Sequence, residues 1–109
     1  MYDKNNIFAK IIKGEIPCKK VTETEFSLAF HDVNPKAKLH VLVLPKGEFT
    51  DIADFIAHAS EIEKTDFWAT VLSVAEELRV RDCFQAVANT GEGAGQSVPH
   101  FHLHIMSNK

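Results

Sequence analysis

Cysteine is scarce in this chain, with two among 109 residues. Cys18 and Cys83 are too far apart to form a C-x-x-C motif, and a chain of this size does not need a disulfide to fold. Their sparse use fits a reducing compartment. Positive charge is also short: 12 Lys and Arg stand against 15 Asp and Glu, a net charge of −3. No Lys/Arg cluster offsets that balance, so a nucleic-acid backbone finds no cationic face to bind. The expected partners are small molecules and proteins. No apolar run approaches the roughly 20 residues that span a bilayer, so no membrane association is expected. Met1-Tyr2-Asp3-Lys4-Asn5-Asn6 lacks a basic stretch leading into a long apolar one. That argues against a secretory signal and for the cytoplasm. Repeats, linkers and low-complexity segments are missing too. Residues 1–109 are expected to form a single domain, with the 45% of hydrophobic residues supplying a modest core.

Within that domain the apolar spacing predicts both helices and strands. Ile7, Phe8, Ile11 and Ile12 recur at helical spacing, and Gly14 stops a short helix over Ile7 to Lys13. Lys20–Thr24 and Phe26–Asp32 read as paired strands, the second with Phe26, Leu28 and Phe30 on one side. A turn over Asn34–Lys38 leads to a third strand, His40–Leu44, whose nearly unbroken apolar run implies burial on both faces. Asp51 to Arg79 is helical: a short amphipathic piece, then a long helix from about Ser60. Phe67, Val71, Val74, Ala75 and Leu78 mark its core face. Trp68, read as core, and Leu72 widen the stripe enough for a partner-facing edge. Phe84–Asn89 is a fourth strand.

The fifth strand carries the chemistry. His100, His102 and His104 alternate with Phe101, Leu103 and Ile105. Strand periodicity puts the imidazoles on one face and the apolar residues on the other. Histidine titrates near neutral pH and serves as base, nucleophile or metal ligand. Just before it, Gly91, Gly93 and Gly95 make a loop whose free backbone N–H groups can form an anion-binding nest, and Ser97 adds a hydroxyl. The loop matches neither common glycine-rich nucleotide motif. Together, loop and histidines favour a phosphate site.

The sequence resembles the histidine triad family, whose motif is His-x-His-x-His followed by two apolar residues. Here that is His100, His102, His104, Ile105 and Met106. Gly95–His100, Ile7–Pro17, Phe30-His31-Asp32 and Lys38–Lys46 are similar to further family segments. The resemblance implies an α+β, HIT-like fold: a five-stranded, mainly antiparallel sheet with one long helix and a short N-terminal helix. It is closest in character to the purine nucleoside phosphoramidase branch. The implied activity is hydrolysis of purine nucleoside 5'-phosphoramidates. His102 matches the nucleophile that forms a nucleotidyl-histidine, and its other ring nitrogen is expected to donate to a backbone carbonyl. His104 matches a residue on the phosphate and leaving-group side that helps supply a proton. His100 and His40 match supporting histidines. Ser97 matches a hydroxyl near the phosphate, Asn89 a polar residue near phosphate and ribose, and Asp32 the carboxylate on the ribose hydroxyls. Phe8, Ile11, Ile16, Phe30 and Val33 match the purine pocket, and Gly95 and Gln96 the loop beside the phosphate. A homodimer across the long helix and fourth strand is implied.

Three departures qualify the resemblance. Some relatives bind a structural zinc, but Asn6, Ala9 and Glu48 stand at its ligand positions here, so neither metal nor cofactor is expected. Only Ser107-Asn108-Lys109 follow Met106, where longer relatives carry a tail that bears on the leaving group. Pro99 replaces an aromatic found in some relatives, at a strand start where proline is tolerated. Two alternatives stay open: a non-catalytic purine-nucleotide-binding regulator, and a metalloprotein with ligands among His100, His102, His104 and His40.

Overall fold

The computed structural model describes residues 1–109. Its elements follow in the order α1 (Ile7–Ile12), β1 (Lys20–Glu23), β2 (Ser27–His31), β3 (Leu39–Pro45), α2 (Ile52–His58), α3 (Glu61–Glu77), β4 (Gln85–Val87) and β5 (Leu103–Ser107). One five-stranded sheet has the spatial order β1-β2-β3-β5-β4. Every neighbouring pair is antiparallel. No helix is long and apolar enough to cross a membrane.

The sheet separates two apolar clusters. On one face Ala29, Val41, Val43, Leu103 and Ile105 pack with Phe101 against Phe55 of α2 and Phe67, Val71 and Val74 of α3. The rings of Phe55, Phe67 and Phe101 sit 5.0–5.2 Å apart, centroid to centroid. On the other face Leu28, Phe30, Leu42 and Leu44 pack against Phe8 of α1. Strand β3 therefore buries its odd-numbered valines on one side and its even-numbered leucines on the other, as its apolar run predicts.

Helix boundaries follow local chemistry. Asn6 caps α1 by accepting from the Ala9 amide at 2.9 Å. Ser60 and Glu63 form a reciprocal capping box at the start of α3. That helix stops at Glu77, two residues short of the expected Arg79, which takes a left-handed φ of 60° and lets the Val80 amide reach back to the Ala75 carbonyl at 2.8 Å.

Three expectations need correction. Strand β4 spans Gln85–Val87 rather than Phe84–Asn89. Strand β5 starts at Leu103 rather than at the first histidine. Before it, the Phe101 amide donates to the Phe49 carbonyl at 2.7 Å instead of joining the ladder. Trp68 is not core: it is 47% exposed. Its ring stands edge-on to Phe67 and turns outward.

Candidate active site

The register of the sheet gathers the histidines on the α1 face. Leu42 pairs with His104 and His40 with Met106 across β3 and β5, and Val87 pairs with His104 across β4 and β5. Directly paired residues share a face and the period is two. His40, Leu42, His104, Met106 and Val87 therefore point the same way. His102 precedes β5 but keeps the alternation. Its ring stands edge-on to Phe8 at 4.8 Å and 5.0 Å from His104, between centroids.

Two clefts meet at these rings. An apolar one of about 280 Å³ is lined by Ile7, Phe8, Ile11, Ile16, Pro17, Phe30, Asp32, Val33, Asn34, Leu42, Ser97, Val98, His102 and His104. All five residues matched to a purine pocket are in it. A polar one of about 400 Å³ is lined by Asp32, Asn34, Lys36, His40, Val87, Asn89, Gly95, Ser97, His104 and Met106. Asp32, Asn34, Ser97 and His104 belong to both, so they mark the junction.

Backbone groups settle the tautomers. His102 Nδ1 lies 2.7 Å from the His100 carbonyl. A carbonyl only accepts, so Nδ1 carries the proton and Nε2 keeps its lone pair. His40 Nδ1 accepts from the Lys36 amide at 3.0 Å, so its proton sits on Nε2. That Nε2 is 2.9 Å from His104 Nδ1. His104 Nδ1 therefore accepts, and its own proton sits on Nε2. One histidine presents a lone pair and its neighbour an N–H donor.

Charge follows burial. Desolvation lowers the pKa of His102 and His40 and pushes His100 and His104 down to about 4. For His104, the neighbouring His102 and His40 add to the effect. All four rings are neutral at neutral pH. Asp32 stands 3.4 Å from His40 Nε2 and accepts from the Asn34 amide at 2.8 Å through its other oxygen. It keeps lone pairs for a ligand.

The same tautomers bear on metal binding. Ligand atoms of Asp32, His40 and His104 lie within 4.8 Å of one another, a spacing a cation could bridge. Ligation through His40 Nε2 would displace its proton to Nδ1, which faces the Lys36 N–H, donor against donor. His100 has both ring nitrogens engaged, by Pro45 and Tyr2. The donor set does not fit a metal.

The loop is more self-contained than expected. The Ala94, Gly95 and Gln96 amides bond back to Gly91 and Glu92 carbonyls in a short 3-10 turn over Glu92–Ala94. The Gly91 amide donates to Gln96 Oε1. Gly95 needs its φ of 87° to close this turn beside the polar cleft. Asn89 holds the loop by donating to the Ala94 carbonyl at 2.8 Å. The Gln96 side chain is spent on Gly91, Thr50 and Val98, and Gln96 lines neither cleft. The nest expected from the glycines is thus largely closed. The amides of Glu92, Gly93 and Ser97 and the Ser97 hydroxyl have no acceptor within the chain, and of these residues Ser97 alone lines the clefts. His100 is fully buried and lines neither cleft.

Sequence reasoning missed Ile7, Pro17, Asn34, Leu42 and Val98 in the apolar cleft, and Tyr2 and the Lys36 amide as histidine partners. The helical and strand periods that placed Phe8 and Phe30 also place Ile7 and Leu42. Nothing local points to Tyr2, which is 98 positions from His100.

Comparison with known proteins agrees with this geometry. The chain is 48% identical over 109 residues to a HIT-like protein of Azospirillum brasilense, covering 99% of this chain and 89% of that one. A solved histidine triad protein from Clostridium difficile superposes with a TM-score of 0.84 at 34% identity, covering 100% and 95% of the two chains. A HIT family hydrolase from Clostridium thermocellum gives 0.84 at 32% identity, covering 98% and 93%. The HIT domain family model matches residues 13–109. With its triad on one face of a five-stranded antiparallel sheet, the chain belongs to the HIT family.

Proposed function

We propose that this protein hydrolyses purine nucleoside 5'-phosphoramidates through a nucleotidyl-histidine intermediate on His102. One observation carries the reading: the His100 carbonyl holds the Nδ1 proton of His102, which leaves an Nε2 lone pair on a ring that lines the apolar cleft beside His104, a residue of both clefts. The purine fills the apolar cleft, against Phe8, Ile11, Ile16, Phe30 and Val33. Asp32 accepts from the vicinal ribose hydroxyls. The phosphorus then lies at the junction and the leaving amine in the polar cleft.

In the first step His102 Nε2 bonds to phosphorus as the phosphorus–nitrogen bond breaks. The departing amine keeps that electron pair and takes a proton from water in the polar cleft, and the hydroxide so formed accepts the proton released in the second step. In the second step water attacks phosphorus, releases a proton, and the bond to Nε2 breaks. Splitting the substitution in two lowers each barrier. His104 Nε2–H and the Ser97 hydroxyl and amide donate to the phosphoryl oxygens, where charge builds. This narrows the part expected of His104. Its ring is neutral, and an added proton on Nδ1 would face the His40 donor, so it stabilises charge rather than delivering a proton.

The test is turnover of a panel of adenosine 5'-phosphoramidates, with alkaline quench and intact-mass detection of an adenylylated protein. The adduct is expected on His102. His102→Ala is expected to abolish turnover while AMP still binds. Near wild-type turnover by His102→Ala, or an adduct on another residue, would overturn the assignment.

A second reading is favoured by the completeness of the cleft itself. The apolar walls and Asp32 bind a purine nucleotide without using the lone pair of His102, so a nucleotide-binding regulator would show binding with no turnover. The free thiols of Cys18 and Cys83 support the expectation of a reducing compartment such as the cytoplasm for either reading.

A further inference from the structure

We propose that Tyr2 is a positioning residue for His102: its hydroxyl fixes the ring of His100, whose backbone carbonyl fixes the tautomer of His102. The proposal rests on the reading of His102 as nucleophile.

His100 has no solvent exposure. Its Nε2 is 2.7 Å from the Pro45 carbonyl, which can only accept, so Nε2 holds the ring proton. Burial keeps the ring neutral. Nδ1 is then a buried lone pair with one partner, the Tyr2 hydroxyl at 2.5 Å. Burial raises the Tyr2 pKa, so the hydroxyl stays a donor. The two rings meet edge-on, with centroids 5.6 Å apart.

Tyr2 is seated by a compact turn. The Asn6 amide and side chain donate to the Asp3 carbonyl at 3.2 and 2.7 Å, and the Asn5 amide donates to the Asp3 carboxylate at 2.9 Å. On the surface beside this turn, Lys4 Nζ stands 3.9 Å from Glu48 in the chain after β3, an exposed pair that adds little to its hold. Asn6 also caps α1, whose Phe8 stands against His102. One N-terminal segment therefore braces two of the triad histidines, through Tyr2 and Phe8.

Without the hydroxyl, His100 Nδ1 would be a buried acceptor with no partner, and relief requires the ring or its backbone to move. The backbone at residue 100 holds His102 Nδ1–H at 2.7 Å. When that contact loosens, His102 is free to shift its proton to Nε2, and an Nε2–H imidazole has no lone pair there to attack phosphorus.

The experiment is Tyr2→Phe in the full chain, which keeps the ring and removes one oxygen. Turnover of adenosine 5'-phosphoramidate is expected to lose about tenfold in kcat, with KM changed by no more than about twofold because Tyr2 lines neither cleft. Side-chain 15N NMR of the free protein is expected to show His102 Nε2 moving from an unprotonated towards a protonated shift. Lys4→Ala removes the exposed pair with Glu48 but keeps both the hydroxyl and the Glu48 charge near it, and is expected to leave kcat and the His102 tautomer unchanged. A Tyr2→Phe protein with a lower melting temperature but unaltered kcat and His102 shifts would overturn the proposal, since Tyr2 would then only anchor the terminus. So would equal losses in both variants. If the wild type turns over no phosphoramidate, the nucleophile reading fails, while the NMR comparison still decides whether Tyr2 sets the tautomer.

Discussion

His40 Nε2 and His104 Nδ1 lie 2.9 Å apart, and only His40 holds a proton between them. The assignment comes from the Lys36 amide, a donor that cannot become an acceptor. His104 is left with a donor at Nε2, directed at the site it shares with His102.

That polarity is separable from acid catalysis by substitution. Glutamine presents a neutral N–H near the position of a histidine Nε2. If His104 acts as a neutral donor, His104→Gln is expected to retain at least about tenfold more kcat than His104→Ala, in line with the value of one well-placed donor. Equal activities in a phosphoramidate assay would show that His104 must deliver a proton.

The pH profile follows from the direction of the pKa shifts. Attack needs unprotonated His102, and burial lowers its pKa below the usual 6.5. Activity is therefore expected to be flat through neutral pH, and kcat/KM to fall only as acidification passes below 6.5. An acid limb centred at or above 6.5 would contradict the buried, neutral ring. Stability has the same sign. His100, at about 4 in the folded state, binds a proton less readily than in the unfolded chain. Its contribution is fully present above pH 6.5 and is lost as pH falls towards 4, about 3 kcal/mol in all. Urea denaturation at pH 7 and pH 5 is expected to show about 2 kcal/mol of that loss, with a smaller difference in His100→Gln.

Ribose recognition is tested at Asp32. Its carboxylate has lone pairs to spare after bonding the Asn34 amide. Asp32→Ala is expected to weaken AMP binding by about 1–3 kcal/mol and to affect the 2',3'-dideoxy analogue much less. Calorimetric titration showing equal losses would mean that Asp32 does not read the diol.

Assembly is tested at the exposed side of α3. Trp68 and Leu72 are 47% and 44% exposed, and Phe84, beside the edge strand β4, is 37% exposed. Ala86 pairs with Ile105 and so shares the α3 face, yet it is exposed. A second copy laid over this apolar patch would close both it and the strand edge. Sedimentation equilibrium is expected to give twice the 12.2 kDa chain mass at micromolar concentration, and Leu72→Asp to dissociate it. A single species of monomer mass across that range would refute the dimer.

Periodicity made much of this legible from the sequence alone. Alternation of His100, His102 and His104 with Phe101, Leu103 and Ile105 fixed which side chains face the core, because a strand offers only two faces. The unbroken apolar run of β3 implied two buried faces, and Ser60 with Glu63 marked the start of α3, for equally local reasons. Hydrogen-bond partners were another matter. Tyr2 on His100, the Lys36 amide on His40, and the closure of the glycine loop by Gln96 all depend on where distant or irregular backbone comes to rest. The alternation by itself put the three histidines on one face and did not distinguish their surroundings. Tertiary packing made them unlike, because the chain joins the ladder only at Leu103, which leaves His100 buried against Pro45 and Tyr2 while His102 and His104 face the clefts. The sequence determined which residues share a face; the folded structure decided which nitrogen holds each proton, because tautomers are set by partners that no local pattern specifies.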